Sequence, residues 1–390
     1  MMRAAATFPE RRDDVRLLVV DPDAPAAAAL RETRTLELSG LLERGDLLVV
    51  NDAATVPAAL HGHTDDGAPI EARLASTADA APSDYRPRFW AVLFGAGDWH
   101  QRTEDRPLPA DLPVGARLQL GRLRAEVVGR SPLSPRLVAL AFDADPDTLW
   151  RELYRNGRPV QYAYLAHELP LWAVQTVYAA RPWAFEMPSA GRPLSWELLL
   201  ALRRKDVRWA SLTHAAGLSS TGDPALDAAL PLPERYDIPA ATVRAIADTR
   251  GFGGRVIAVG TTVVRALEGA AAAARDGVLR AGIGVTDLRI TPSFRPRVVD
   301  GILSGAHAAG ESHFQLLTAF AGADRLAAAA AHAERAGFLT HELGDAMLIL
   351  PGALLASRRS ETRGADIRGH APAHNPTFVT PPVALPLVCP

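Results

Sequence analysis

Two rhythms of apolar and polar positions divide the chain. Residues 15–20 (Val-Arg-Leu-Leu-Val-Val) and 46–51 (Asp-Leu-Leu-Val-Val-Asn) are short, nearly continuous apolar runs, the pattern of strands covered on both faces. Residues 30–43 between them read as a connection. Over 57–142 the runs become shorter and alternate, at 70–74, 90–94, 117–120, 125–128 and 137–142, with Gly, Pro and Asp between them and loops at 77–88 and 100–115. That spacing predicts an all-β unit. From 145 onward the period is mixed: helices are predicted at 146–154, 195–204, 239–250, 263–274, 314–320 and 325–337, and strands at 207–213, 255–259, 280–290 and 297–303. Alternating strands and helices argue for an α/β unit. The expected division is an α/β domain from 1–56 and 143–354, a small all-β domain from 57–142, and a poorly ordered Arg-, Pro- and His-rich tail from 355–390.

Composition narrows the function classes. The 390 residues are 48% apolar and 22% charged, as in ordinary globular proteins of two or three folding units. Cys389 is the only cysteine, which excludes an intrachain disulfide framework, a Cys-based zinc site and an iron–sulfur cluster. A net charge of −2 excludes a strongly basic nucleic-acid binder but leaves room for a local basic patch. Arg117, Arg122, Arg124, Arg130 and Arg136, opposed only by Glu126, are expected to form such a face. Lys205 is the only lysine and sits in a charged string, so Schiff-base chemistry is disfavoured. No apolar run approaches the ~20 residues that span a bilayer, and a cytoplasmic protein with no membrane partner is expected.

Several strings carry candidate chemistry. Residues 256–265 (Val-Ile-Ala-Val-Gly-Thr-Thr-Val-Val-Arg) read as a strand running through Gly260 into a helix, with Thr261 or Thr262 as its cap and Arg265 one turn in. Free backbone N–H groups at such a helix start suit an anion. Residues 186–191 (Glu-Met-Pro-Ser-Ala-Gly) read as a tight turn beside a flat or bulky ligand, offering Ser189, Ala190 and Gly191. His214 follows a predicted strand and Glu234 lies in a proline-rich loop; either suits acid–base work. His307, Glu311 and His313 are close in sequence, but no metal-binding spacing appears.

In order along the chain, these strings resemble the S-adenosylmethionine:tRNA ribosyltransferase-isomerases of queuosine biosynthesis. The likeness runs from about Arg12 to Leu350. It includes Gly45-Asp-Leu-Leu-Val-Val-Asn-Asp52, Gln175-Thr-Val-Tyr-Ala179, Pro188-Ser-Ala-Gly191, Ala258-Val-Gly-Thr-Thr-Val-Val-Arg265, Val298-Val-Asp300, His307, Ala319-Phe-Ala-Gly322 and Gly344-Asp-Ala-Met-Leu-Ile349. The resemblance implies an α/β domain with a curved, barrel-like mixed sheet and a smaller all-β domain. It implies transfer and isomerisation of the ribosyl unit of S-adenosylmethionine onto a 7-aminomethyl-7-deazaguanine base in tRNA, giving an epoxycyclopentanediol, adenine and methionine. S-adenosylmethionine is then a consumed donor, with no separate cofactor and no metal, and a monomer is the favoured state.

On that reading His214 or Glu234 removes the proton beside the sulfonium. Thr261, Thr262 and Arg265 hold the methionine carboxylate or ribose hydroxyls. Asp52, Ser189, Ala190, Gly191, Gly260 and His307 join the same cleft, with Tyr178 or Phe185 as a wall for adenine. The chain departs from the family pattern at Ala54 and Ala59, where arginines are usual, and at Pro193, where a histidine is usual. These departures bear on the acceptor. Two further readings therefore stand: a same-fold enzyme using S-adenosylmethionine on a non-tRNA acceptor, and a non-catalytic binding protein.

Overall fold

A computed structural model describes residues 2–78, 86–307 and 312–354; the expected tail at 355–390 lies outside them. Nine strands form one mixed sheet. From edge to edge its order is Gly282–Thr286, Glu234–Ile238, Arg208–His214, Leu47–Asn51, Val256–Val259, Gly301–Gly305, Ala346–Ile349, Arg16–Val20 and Leu30–Arg34. The runs read as doubly covered strands are so: Leu47 to Val50 and Val256 to Val259 are all buried. Their side chains alternate between two cores. Leu47, Val49, Val256 and Ala258 face one cluster with Val263, Val264 and Leu267. Leu48, Val50, Ile257 and Val259 face another with Leu198, Leu199 and Leu202. The result is three layers, helices on both faces of the sheet.

The helices obey their end signals. Ser195 caps Trp196–Arg204 by accepting from the Leu198 N–H, and Asp145 caps Pro146–Asn156 by accepting from Thr148. The helix Thr261–Ala273 begins two residues earlier than expected. Its cap position is Gly260, at φ 92°, with no side-chain cap bond, so neither threonine caps it. The stretch 30–43, read as a connection, contains the edge strand Leu30–Arg34. Its sequence LRETR is polar because only one edge pairs, antiparallel to Arg16–Val20.

Closure occurs in the smaller unit. Six strands between Ala59 and Phe142 form a closed barrel, and the strand Ala59–Thr64 is one that the apolar pattern did not reveal. Leu60, Leu74, Leu93, Leu120, Val127 and Leu140 fill it, and Leu149 and Leu153 of the following helix join that core. Phe185 belongs there too, edge-on to Phe89 at 6.1 Å, so it is a barrel-core ring rather than a cleft wall.

The expected basic face is smaller than its sequence suggests. Arg136 is buried and donates to the carbonyls of Leu93, Pro107 and Arg106. Arg130 pairs with Asp111 at 2.9 Å, while Arg117, Arg122 and Arg124 stay exposed. Lys205 is at the surface, donating to the Ser39 carbonyl at 2.8 Å. Among the described residues no helix is long and apolar enough to cross a membrane.

Candidate active site

Strand direction gathers the candidate residues. Arg208–His214, Leu47–Asn51, Val256–Val259 and Gly301–Gly305 are neighbours and mutually parallel. Their carboxyl ends therefore share one edge of the sheet, which brings His214, Asp52, Gly260 and His307 to the same side. Ligand sites of open α/β sheets form along such an edge. Glu234–Ile238 runs antiparallel to Arg208–His214, pairing His214 with Tyr236. Its first residue, Glu234, thus reaches the same edge. Glu234 opens a strand rather than sitting in a loop.

At the centre is a buried triad. Arg265 Nη1 donates to Glu234 Oε2, and its Nε donates to the Leu288 carbonyl at 3.1 Å. Glu234 Oε1 accepts from the Gly217 N–H at 2.9 Å. His214 Nε2 lies 3.3 Å from Glu234 Oε2, off the line of a hydrogen bond, and neither ring nitrogen of His214 has a hydrogen-bond partner among the described residues. Arg265 Nη2 is likewise buried without one. Burial raises the Glu234 carboxyl above its ordinary value, against the pull of Arg265. Burial, then the Arg265 charge, lowers His214 to about 3. The nearby carboxylate does not rescue the imidazolium, because Arg265 already balances it. His214 is neutral and Glu234 is the stronger base.

Asn51 ties this triad to the helix start. Its Oδ1 accepts from the His214 and Ala53 N–H groups at 2.9 and 3.1 Å. Its Nδ2 donates to the His214 carbonyl at 3.0 Å and to Thr262 Oγ1 at 3.5 Å. Asp52 accepts from Thr213 Oγ1 at 2.6 Å, a link between adjacent strands. Thr261 is buried at the helix start. The turn Ser189–Gly191 lies against it, since a side chain at Gly260 would touch Ala190. A side chain at Gly191 would fall on the Tyr178 hydroxyl. Tyr178 is therefore packed beneath that turn in the sheet core and offers no wall to a cleft. His307 stacks on His313 at 4.9 Å, and its Nε2 lies 3.2 Å from Ser304 Oγ.

The structure adds residues that pattern reading missed. Glu186 is buried and accepts from the Tyr162 hydroxyl. Burial raises its carboxyl, and its charge reaches Glu234. Behind Tyr162, at 5.7 Å from its ring, is the Arg73 guanidinium, paired with Glu71 at 2.6 Å. Polar groups thus run from the barrel strand at Arg73 through Tyr162 to Glu186, whose charge acts on Glu234 through space. Glu234 also lines a crevice with Ala75, Val92, Gly217 and Leu218, about 10 Å³ in volume, room for one water-sized group.

A sequence profile of queuosine biosynthesis proteins matches residues 2–349. An S-adenosylmethionine:tRNA ribosyltransferase-isomerase of Synechococcus elongatus is 34% identical over 371 residues, 90% of this chain and 94% of its own length. One from Gloeobacter violaceus is 35% identical over 349 residues, 88% and 91% of the two chains. A crystal structure of the S-adenosylmethionine tRNA ribosyltransferase of Thermotoga maritima aligns at a TM-score of 0.48 and 26% identity, over 89% of this chain and 96% of that one.

Proposed function

The chain belongs to the family of queuosine biosynthesis proteins, and we propose that it is an S-adenosylmethionine:tRNA ribosyltransferase-isomerase with Glu234 as the base of its reaction centre. The observation that carries this assignment of the base is the buried Glu234–Arg265–His214 triad at the strand-end edge. The sulfonium acidifies the ribose carbon beside it, so a single positioned base suffices to start the reaction. A carboxyl raised by burial is a stronger base than an exposed one. Arg265 keeps it ionised and aimed. His214, whose pKa burial lowers to about 3, adds no charge to repel a sulfonium.

Arg265 gives Nη1 to Glu234 and Nε to Leu288, and its Nη2 is buried, so we assign the methionine carboxylate to the N–H groups at the start of the Thr261–Ala273 helix, with Thr262 beside them. Substrate must part the walls of the Glu234 crevice to reach the carboxylate. The acceptor is tRNA carrying 7-aminomethyl-7-deazaguanine, approached by Arg117, Arg122 and Arg124 on the barrel.

Adenine release from S-adenosylmethionine is the test. Release only when such tRNA is present is expected. Release without tRNA would assign another acceptor, and none at all would overturn the proposal. Glu234→Gln should lower turnover roughly 10²–10⁴-fold with donor binding kept. Full turnover in that variant would remove Glu234 as the base.

A further inference from the structure

A second buried carboxyl stands beside the triad, and the chemistry above does not use it. Glu186 is 9% exposed and lies just before the Ser189–Gly191 turn that rests against Gly260. One loop serves both carboxyls. Beyond the strand Arg208–His214, the Gly217 N–H donates to Glu234 at 2.9 Å, and Ser219 donates to Glu186. Gly217 and Ser219 are two residues apart, at most about 7 Å of extended chain, so one bound donor can meet both carboxyls. The same centre holds the ring nitrogens of His214 and Nη2 of Arg265, buried and without hydrogen-bond partners among the described residues. Buried polar groups in that state mark where a substrate supplies the missing partners.

Their surroundings divide the two carboxyls. Glu234 is paired with Arg265, which holds it as an anion. Glu186 has hydroxyls for company: Tyr162 donates to its Oε1, and the Tyr162 and Ser219 hydroxyls are 3.3 Å apart. Arg73 stands behind the Tyr162 ring at 5.7 Å and is committed to Glu71 at 2.6 Å. Two neighbouring anions repel, and Glu342, which acts on Tyr162, adds a third carboxyl on this side. The carboxyl with the arginine therefore keeps the charge, and the one among hydroxyls keeps the proton. Burial raises Glu186 above its ordinary value, in the same sense.

We infer that Glu186 is the general acid of the reaction, giving its proton to the adenine as it leaves. This rests on the proposed reaction, with Glu234 as its base. Glu234 takes a proton from the ribose carbon beside the sulfonium. When the glycosidic bond between ribose and adenine breaks, its electron pair passes to the adenine ring, and the Glu186 proton forms the new N–H bond there. Adenine leaves neutral, Glu186 becomes a carboxylate and Glu234 a carboxylic acid, so one turnover exchanges their protonation states. Two carboxyls set apart by their environments divide into acid and base in this way. Ser219 is exposed, so the Tyr162 and Ser219 hydroxyls form the route by which solvent returns the proton to Glu186.

Glu186→Gln tests this, because it keeps the shape of the side chain and an acceptor for Tyr162 but has no acidic proton to give. The full chain is incubated in deuterium oxide with S-adenosylmethionine and tRNA carrying 7-aminomethyl-7-deazaguanine. Two quantities are read: adenine release, and deuterium washed into the ribose carbon beside the sulfonium. In Glu186→Gln, release should fall roughly 10²–10⁴-fold while the exchange, which needs only Glu234, is kept. Glu234→Gln should lose both. Thermal unfolding checks the fold, and Tm of Glu186→Gln should be no lower than that of the wild type, since a buried acid is removed and the Tyr162 hydrogen bond stays. Release equal to wild type in Glu186→Gln would overturn the inference. So would loss of exchange together with release in a variant of unchanged Tm, which would make Glu186 a support for the base. Failure of the wild-type chain to release adenine would overturn the reaction itself; wild-type release that Glu186→Gln leaves unaltered would remove only the acid.

Discussion

Replacing Arg265 by Met keeps most of the volume but leaves Glu234 alone in the interior. The two side chains are 7% and 8% exposed, so solvent screens little of their attraction. Breaking a buried pair by removing one partner costs about 3–5 kcal/mol. In a chain of this size that is a fall in Tm of roughly 4–6 °C. The loss should depend on pH. Burial already raises the Glu234 carboxyl above its ordinary value of 4.5, and without Arg265 it rises further. A carboxyl raised on folding favours the folded state when protonated, so this stability is present at low pH and is lost as pH rises through the folded value. The deficit of Arg265→Met against wild type should therefore be largest near pH 8 and shrink toward pH 5. Thermal or denaturant unfolding at both values measures it. Adding Glu234→Gln should recover most of the loss at pH 8. An equal deficit at pH 5 and pH 8, or a double variant no better than Arg265→Met, would refute the buried anion on which the reaction centre is built.

Three other outcomes are expected. His214, lowered to about 3 by burial, should add acid sensitivity: stability falls as pH drops below about 6.5, by at most ~1.4 kcal/mol per pH unit, and His214→Asn should flatten that limb in acid unfolding. An unchanged limb would mean the imidazole is charged in the fold. Gly191→Ala drives a methyl into the Tyr178 hydroxyl and should cost about 1–3 kcal/mol, partly restored by Tyr178→Phe; a neutral Gly191→Ala would deny the close packing of that turn. Reversing Arg122 and Arg124 to Glu should weaken tRNA binding and lower its salt slope, whereas an unaltered slope would move the docking surface elsewhere.

The doubly covered strands at 47–51 and 256–259, the strand–glycine–helix passage at Gly260, the capped helix after Ser195 and five of the barrel strands were legible in the apolar pattern, because burial of local runs leaves a periodic trace. The order of short strings along the chain was enough to identify the family. The edge strand Leu30–Arg34 left no such trace, being polar on an edge that one neighbour satisfies. Charged residues were the hardest to place. Arg136 reads as surface and is buried beside Phe94, at 4.9 Å from its ring, with Arg73 and Arg106 around the same ring. Glu234, Arg265 and His214 were singled out by residue type, but which of them is ionised depends on partners that no local window contains. Asn51 meets His214 across 163 residues of chain, and Glu186 meets Tyr162 across 24 residues that lie outside both the barrel and the nine-stranded sheet. The sequence determines which segments are strands and helices, since that is a matter of local hydrogen bonding and period. The charge state of the site is decided by tertiary structure alone, because desolvation and ion pairing depend on what surrounds a group in space.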